Sequence, residues 1–108
     1  MAIINLCKHS VDLSVGVSIP SSGVEARVAV NAVVVAVIQI DGKEVEVFEN
    51  EYGEVIGLPD FQENIWYVVS GQVRSALPER TDLYSPGNLV RDSAGVVIGC
   101  RGIVRNKR

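Results

Sequence analysis

The stretch AVVVAVIQI-DG-KEVEVF, residues 32–48, decides the fold class, because it consists of two β-prone runs joined by a two-residue turn. Ala32 to Ile40 is almost continuously apolar, which predicts a central strand covered on both faces. Asp41 and Gly42 form the pair that a type I′ turn requires, since both residues adopt positive φ there. The expected pairs are Ile40 with Lys43, Ile38 with Val45, Ala36 with Val47, Gln39 with Glu44, Val37 with Glu46 and Val35 with Phe48.

Further strands are marked by alternating apolar and polar residues. Val11 to Ile19 alternates strictly over nine residues, which predicts one half-buried strand with a bend or bulge at Gly16. Val24 to Val30 alternates again after a turn and is the expected returning strand. Residues 49–52 are polar and are expected to form a loop. Shorter strands are expected at residues 2–7, 53–56, 65–69, 89–91 and 96–101.

One short helix is expected after the strand that ends at Val69. Ser70 is its predicted N-cap, because a serine hydroxyl accepts an early helical N–H. Pro78 ends the helix, which therefore spans about residues 71–77. These elements predict a mainly β protein, α+β at most. The expected architecture is a small antiparallel sandwich or partly closed barrel of about eight short strands with one helix.

Length and composition indicate a single folded domain over residues 1–108. The chain is 47% hydrophobic and 21% charged, and valine and isoleucine supply 29 residues, which excludes intrinsic disorder and favours strands. The net charge of −3 provides no overall basic field, so nucleic acid is not an expected partner. Eight acidic residues lie between Asp41 and Glu63 and are interpreted as the solvated face of a hairpin.

The sequence shows no signal for secretion or membrane insertion. The N-terminus lacks a basic region, and the longest apolar run, residues 32–38, has seven residues, which is too short to cross a bilayer. We therefore expect a cytoplasmic protein that does not contact a membrane. Cys7 and Cys100 are predicted to be buried, reduced and without a catalytic role.

Few residues carry recognisable catalytic or metal chemistry. His9 is the only histidine, and no metal-ligand spacing surrounds it, so no zinc site is expected. The chain has no Walker A motif, no dinucleotide fingerprint and no Gly-x-Ser-x-Gly elbow, so no cofactor is expected. His9 with an aspartate leaves a small metal-independent phosphodiesterase or hydrolase as one hypothesis. The alternative is a turn-capping or surface histidine.

A stretch rich in arginine and aspartate is the strongest candidate for a ligand site. Arg80 and Asp82 lie two residues apart, so in an extended segment both side chains point to the same face. A guanidinium fork suits phosphate or carboxylate, and a nearby aspartate can position it. The alternative is an ion pair that only fastens a loop. The residues expected to line an anionic-ligand site near a subunit boundary are Arg80, Asp82, Arg91, His9, Arg74 and Tyr84.

Several short motifs resemble a family of small uncharacterised bacteriophage proteins. The opening INLCKH, residues 4–9, is similar to an Ile-Asn-Leu-Thr-Pro-His opening, with Cys7 and Lys8 in place of Thr and Pro. Further similar motifs are LPERTD at 77–82, SPG at 85–87, VRD at 90–92 and VIGCRG at 97–102. The resemblance implies a phage protein. Compact phage proteins without enzymatic motifs include inhibitors of host defence that sequester nucleotide-derived immune signals.

Three functions follow from these features. The first is a non-enzymatic phage protein in the cytoplasm of an infected bacterium that binds and sequesters a nucleotide-derived immune signal. The second is a structural or protein-interaction module, such as a virion accessory or a direct inhibitor of a host protein. The third is the small hydrolase. A homo-oligomer is expected, because eight strands leave edges and apolar faces that one small helix does not cover.

Overall fold

The computed structural model describes residues 2–107, which form eight β-strands and one α-helix. The prediction of a mainly β protein with one short helix is therefore confirmed. No helix in this described part of the chain is long and apolar enough to span a membrane. The elements in chain order are β1 (Ala2–Asn5), β2 (Val11–Asp12), β3 (Ser18–Ile19), β4 (Arg27–Ile40), β5 (Lys43–Ile56), β6 (Ile65–Val68), α1 (Gly71–Ala76), β7 (Leu83–Arg91) and β8 (Val97–Arg105).

A four-stranded sheet with the order β1-β6-β7-β8 forms the centre of the protein. β6 pairs in parallel with both β1 and β7, and only β7 and β8 are antiparallel, so the expected antiparallel arrangement is wrong here. Residues 69–82, which include α1, connect β6 to β7 and supply the crossover that parallel strands need. Two separate ribbons, β2–β3 and β4–β5, complete the sheets among residues 2–107, and no closed barrel forms.

The hydrophobic core surrounds β6, which lies between two strands of the sheet. Val68 and Val69 have no exposed surface. Helix α1 begins as predicted, because the Ser70 hydroxyl accepts the Val73 N–H at 3.2 Å, and it ends at Ala76, two residues before Pro78. The first core cluster contains Leu6, Ala26, Tyr67, Val69, Val73 and Leu83, and the second contains Val11, Ile19, Val68 and Cys100.

The segment from Val11 to Ile19, predicted as one strand, instead folds as a small hairpin. The Leu13 N–H donates to the Val17 carbonyl at 2.7 Å, which closes a tight turn. Gly16 has a φ of +94° in that turn, a conformation that favours glycine. Val11 thereby pairs with Ile19, and both are buried. The alternating pattern did not reveal the turn, because the apolar residues buried at the two ends of the segment fit one continuous strand equally well.

The ribbon of β4 and β5, residues 27–56, is a long hairpin that we call the arm. Asp41 and Gly42 have φ values of 51° and 76°, as the type I′ prediction requires, and the predicted pairs near the turn are confirmed. The expected loop at residues 49–52 belongs to β5. Every residue from 31 to 46 is exposed, so the prediction of a strand covered on both faces is wrong.

A β-bulge changes which face of the arm is apolar. Val34 pairs with Phe48, and the predicted pairing of Phe48 with Val35 is wrong because Val35 is an extra residue in β4. Successive side chains of a strand point to opposite faces, so the extra residue reverses the alternation of β4. Near the turn, one face carries Ile38, Ile40, Val45 and Val47, and beyond the bulge the opposite face carries Val34, Phe48 and Tyr52.

The two cysteines are both free thiols. Cys100 is buried as predicted, but Cys7 is only half-buried. Burial raises the pKa of the Cys7 thiol, and the nearby negative charge of Glu25 raises it further. A raised pKa is the opposite of what a reactive thiolate requires, so Cys7 does not have the signature of a nucleophilic cysteine.

Candidate ligand site

Arg80 and Asp82 are brought together, as their spacing predicted, but they bind each other. The Arg80 Nε donates to Asp82 Oδ1 at 2.8 Å, and its Nη2 donates to Oδ2 at 2.7 Å. The Asp82 side chain is 1% exposed, and that of Arg80 is 19% exposed. Arg80 Nη2 also donates to the Pro59 carbonyl at 3.1 Å. The hydrogen bonding that Arg80 donates to Asp82 is the main cause that raises the pKa of Arg80. This geometry supports the alternative interpretation, in which the pair fastens a loop.

Arg74 also has structural partners. Its Nε donates to the Ser85 hydroxyl at 2.8 Å, and its Nη1 donates to Asn106 Oδ1 at 3.1 Å. Asn106 is itself buried, and its amide donates to the carbonyls of Leu77 and Arg80. Arg74 therefore links α1 to β7 and to the C-terminal segment.

Tyr84 lies in the interior, where it does not present an open face to a base. Its side chain is buried, and its ring centroid lies 5.0 Å from that of Trp66. The planes of the two rings are tilted by 39°, and the distance between their centroids lies in the usual range for packed aromatic pairs. The neighbouring Tyr67 is also buried, so the aromatic residues of β6 and β7 contribute to packing.

Arg91 and His9 are the two predicted site residues that remain exposed. Arg91 Nη1 donates to the Gly95 carbonyl at 2.9 Å, within the turn between β7 and β8. His9 Nδ1 lies 3.2 Å from the Ser10 carbonyl. Of the six predicted site residues, only His9 lines either of the two larger clefts described below. No cleft described here contains all six residues, so a site shared by all of them stays a prediction.

A cleft of about 510 Å³ lies between the loop after β1, the start of β4 and the start of α1. We call it the basic cleft, because Lys8, His9 and Arg27 line it together with one acid, Glu25. The Arg27 side chain is 72% exposed, and its Nε lies 3.7 Å from Glu25 Oε1, which is a loose ion pair. The other lining residues are Leu6, Cys7, Ala26, Val28, Ser70, Gly71, Gln72 and Pro86.

The wall of the basic cleft that carries Lys8 and His9 is fixed by Asn5. Asn5 is 1% exposed, and its amide donates to the carbonyls of Ile19 at 2.8 Å and His9 at 3.0 Å. Its Oδ1 accepts the Cys7 N–H at 2.9 Å. The loop that presents the two basic residues is therefore held at both ends by one buried side chain.

A second cleft, of about 450 Å³, lies between the β2 segment and the β7–β8 hairpin. We call it the apolar cleft, because Pro86, Leu89, Val97 and Ile98 line much of it. His9 lies at the boundary of both clefts. The apolar cleft is therefore better suited to apolar side chains than to an anion.

Sequence reasoning missed that Lys8 and Arg27 line one cleft. Each is a single basic residue outside the Arg/Asp-rich stretch, and 19 positions separate them in the chain. Only the packing of the first loop beside the start of β4, where the Ala26 N–H donates to the Leu6 carbonyl at 2.9 Å, brings them to one cleft. No local pattern marks such a pair.

Comparison with protein families, with curated proteins and with solved structures finds no match for this chain. Within residues 2–107, no group of three or more His, Cys, Asp or Glu side chains is arranged to hold a metal ion. The basic cleft is therefore interpreted from its own geometry and charge.

Proposed function

We propose that this protein binds a nucleotide-type anionic small molecule in the basic cleft and sequesters it without converting it. The convergence of Lys8, His9 and Arg27 on one cleft is the observation that supports this function best. Lysine and arginine bind phosphate oxygens through charge-assisted hydrogen bonds. A volume of about 510 Å³ lies within the usual range of small-molecule sites.

The remaining lining favours a nucleotide over a bare phosphate ion. Val28 and Pro86, which are half-buried, supply apolar surface on which a base or ribose can pack. Glu25 and the Gln72 amide supply acceptors for hydroxyl and amino groups. The cations suit the phosphate groups of a nucleotide. The apolar surface and the acceptors suit its base and ribose.

The biological setting of the proposal comes from the resemblance to small phage proteins. In that setting, the protein acts in the cytoplasm of an infected bacterium and removes a nucleotide-derived immune signal. The proposal also includes self-association of the chain, because ten large apolar residues of the arm are exposed in a single copy.

Calorimetry against cyclic dinucleotides, cyclic trinucleotides and ADP-ribose derivatives tests the proposal. We expect at least one class to bind, and the Lys8→Ala/Arg27→Ala variant to bind it more than about tenfold more weakly. The matched control is Lys43→Ala/Arg101→Ala, which makes the same charge change at exposed positions outside the cleft. Absence of binding by all three classes would overturn the proposal, and release of a cleaved nucleotide would indicate the hydrolase.

The exposed arm favours a second candidate function, that of a protein-interaction module. Long β-hairpins with apolar faces are suited to pack on another protein. In this function, the arm binds a host or virion protein, and the purified chain stays monomeric in solution. Analytical ultracentrifugation distinguishes the two candidates, because the sequestration proposal includes a homo-oligomer.

A further inference from the structure

The apolar residues near the turn of the arm share one face, which is left uncovered by residues 2–107. Alternate residues of a strand lie on one face, and so do directly opposed residues of two paired strands. Each residue of β5 from Lys43 to Glu49 has a partner in β4. The face therefore contains four rows, which we call the tip face: Ile40 with Lys43, Ile38 with Val45, Ala36 with Val47, and Val33 with Glu49. Ile38 and Ile40 are 46% and 49% exposed, so this face offers apolar surface to a partner.

The tip face carries one charged residue at each end and none in between. Lys43 lies in the row nearest the turn, and Glu49 lies in the fourth row on the same strand. These two positions are six residues apart, a distance of roughly 20 Å along a strand. The two middle rows are entirely apolar. A two-fold rotation about an axis across the centre of this face exchanges the positions of Lys43 and Glu49, so the face is complementary to itself.

We infer that the tip faces of two copies pack on each other with the two arms running in opposite directions. Lys43 of each copy then faces Glu49 of the other copy, and Ile40 of each copy packs on Val33 of the other. The apolar middle rows pack on each other. Such a contact uses the same patch on both copies and closes as a symmetric dimer without any further protein. This inference rests on the proposed self-association, but it does not require the proposed ligand, because the basic cleft lies within one copy.

The charges on each face decide against two other ways of pairing the arms. If the two arms ran in the same direction, the tip faces would place Lys43 beside Lys43 and Glu49 beside Glu49. The opposite face of the outer arm carries Glu44 and Glu46, which pair with Gln39 and Val37, and no basic residue in these rows. Two copies of that face would bring acids together without a partner charge. Glu51, the next acid on the tip face, lies beyond the row that Lys43 of the second copy reaches.

The size of the tip face determines how strong the dimer is. The face spans roughly 20 Å along two strands, which places the contact at the small end of specific interfaces. We therefore expect a reversible dimer whose dissociation is measurable by sedimentation equilibrium.

Charge reversal at the two ends of the tip face tests this arrangement at low salt. In Lys43→Glu or Glu49→Lys, both symmetric contacts become like-charged, and the dissociation constant is expected to rise by about tenfold or more. The chain with both substitutions restores opposite charges and is expected to return to within about threefold of the natural sequence. The matched controls, Arg101→Glu on β8 and Glu46→Lys on the opposite face, make the same charge changes and are expected to stay within about threefold.

Replacing apolar residues distinguishes the two faces of the arm. Val45 lies on the tip face and is 37% exposed, and Phe48 lies on the opposite face and is 52% exposed. Val45→Asp places a charge in the apolar middle of the contact and is expected to raise the dissociation constant more than about tenfold. Phe48→Asp introduces the same residue in the same strand and is expected to leave association within about threefold. Circular dichroism is expected to show an unchanged fold for both.

Several outcomes would overturn the inference. A natural sequence that stays monomeric even at millimolar concentration would do so, as would loss of association in Phe48→Asp but not in Val45→Asp. A folded chain with both charge reversals that remains as dissociated as the single variants would show that Lys43 does not face Glu49. Lys8→Ala/Arg27→Ala is expected to associate normally, and Val45→Asp is expected to bind nucleotide as the natural sequence does. Failure of the dimer and failure of the ligand proposal are therefore distinguishable.

Discussion

Replacing Arg80 by alanine tests whether the Arg80–Asp82 pair is structural. The substitution removes two hydrogen bonds of 2.7 and 2.8 Å from a carboxylate that is 1% exposed, and a third bond to the Pro59 carbonyl. Breaking a buried ion pair in this way costs about 3–5 kcal/mol, because the remaining charge has no partner and no water. Because Arg80 is 19% exposed, water partly screens the pair, and the expected loss of unfolding free energy is about 3 kcal/mol.

Thermal and urea unfolding followed by circular dichroism measure this cost. In a domain of this size, about 1 kcal/mol shifts Tm by roughly 4–8 °C, so Arg80→Ala is expected to lower Tm by roughly 12–24 °C. The control Arg105→Ala removes an exposed arginine from β8 and is expected to change the free energy of unfolding by less than about 0.5 kcal/mol. In the Arg80→Ala/Asp82→Ala variant, the loss is expected to be smaller than the sum of the single losses.

The opposite result would restore the ligand-site interpretation of this pair. If Arg80→Ala keeps Tm within about 2 °C of the natural sequence and loses nucleotide binding, the reasoning from burial is wrong. In that case, Arg80 binds the ligand and does not stabilise the fold.

Two further predictions concern other buried side chains. Asn5→Ala removes three hydrogen bonds of a side chain that is 1% exposed. In urea titrations, it is expected to lower the free energy of unfolding by about 2–3 kcal/mol. The control Asn50→Ala, on the exposed arm, is expected to lower it by less than about 0.5 kcal/mol. Equal losses would contradict the role of Asn5. In native thiol labelling, Cys7 is expected to react before the buried Cys100, and its rate is expected to keep rising above the ordinary thiol pKa, because the raised pKa delays formation of the thiolate. Faster labelling of Cys100 would contradict its burial.

The features predicted correctly are those that neighbouring residues decide. Asp41 and Gly42 specify the turn by their tolerance of positive φ, and the two-residue loop then sets the pairs nearest to it. Ser70 specifies the start of α1, because its hydroxyl reaches an N–H only three residues away. In each case, the energy that decides the structure arises within a few positions of the chain.

The candidate site was only partly accessible to sequence reasoning. The spacing of Arg80 and Asp82 correctly placed both side chains together, but their burial depends on Pro59, which lies 21 residues before Arg80. A ligand contact and a structural ion pair have the same sequence pattern, so the pattern did not distinguish them. The basic cleft depends on the distant residues Lys8 and Arg27, which share no motif.

The sequence by itself determined the β-rich composition, the tip of the arm and the N-cap of the helix. Only the tertiary structure decided that β1 and β6, 63 positions apart, pair in parallel, that the arm leaves the core, and that Lys8 meets Arg27. The physical reason is the range of the interactions. Turn and capping preferences act between near neighbours, whereas strand order and burial come from competition among all apolar surfaces of the chain. In that competition, β6 and Val73 of α1 occupy the core, and the apolar outer part of β4 remains exposed.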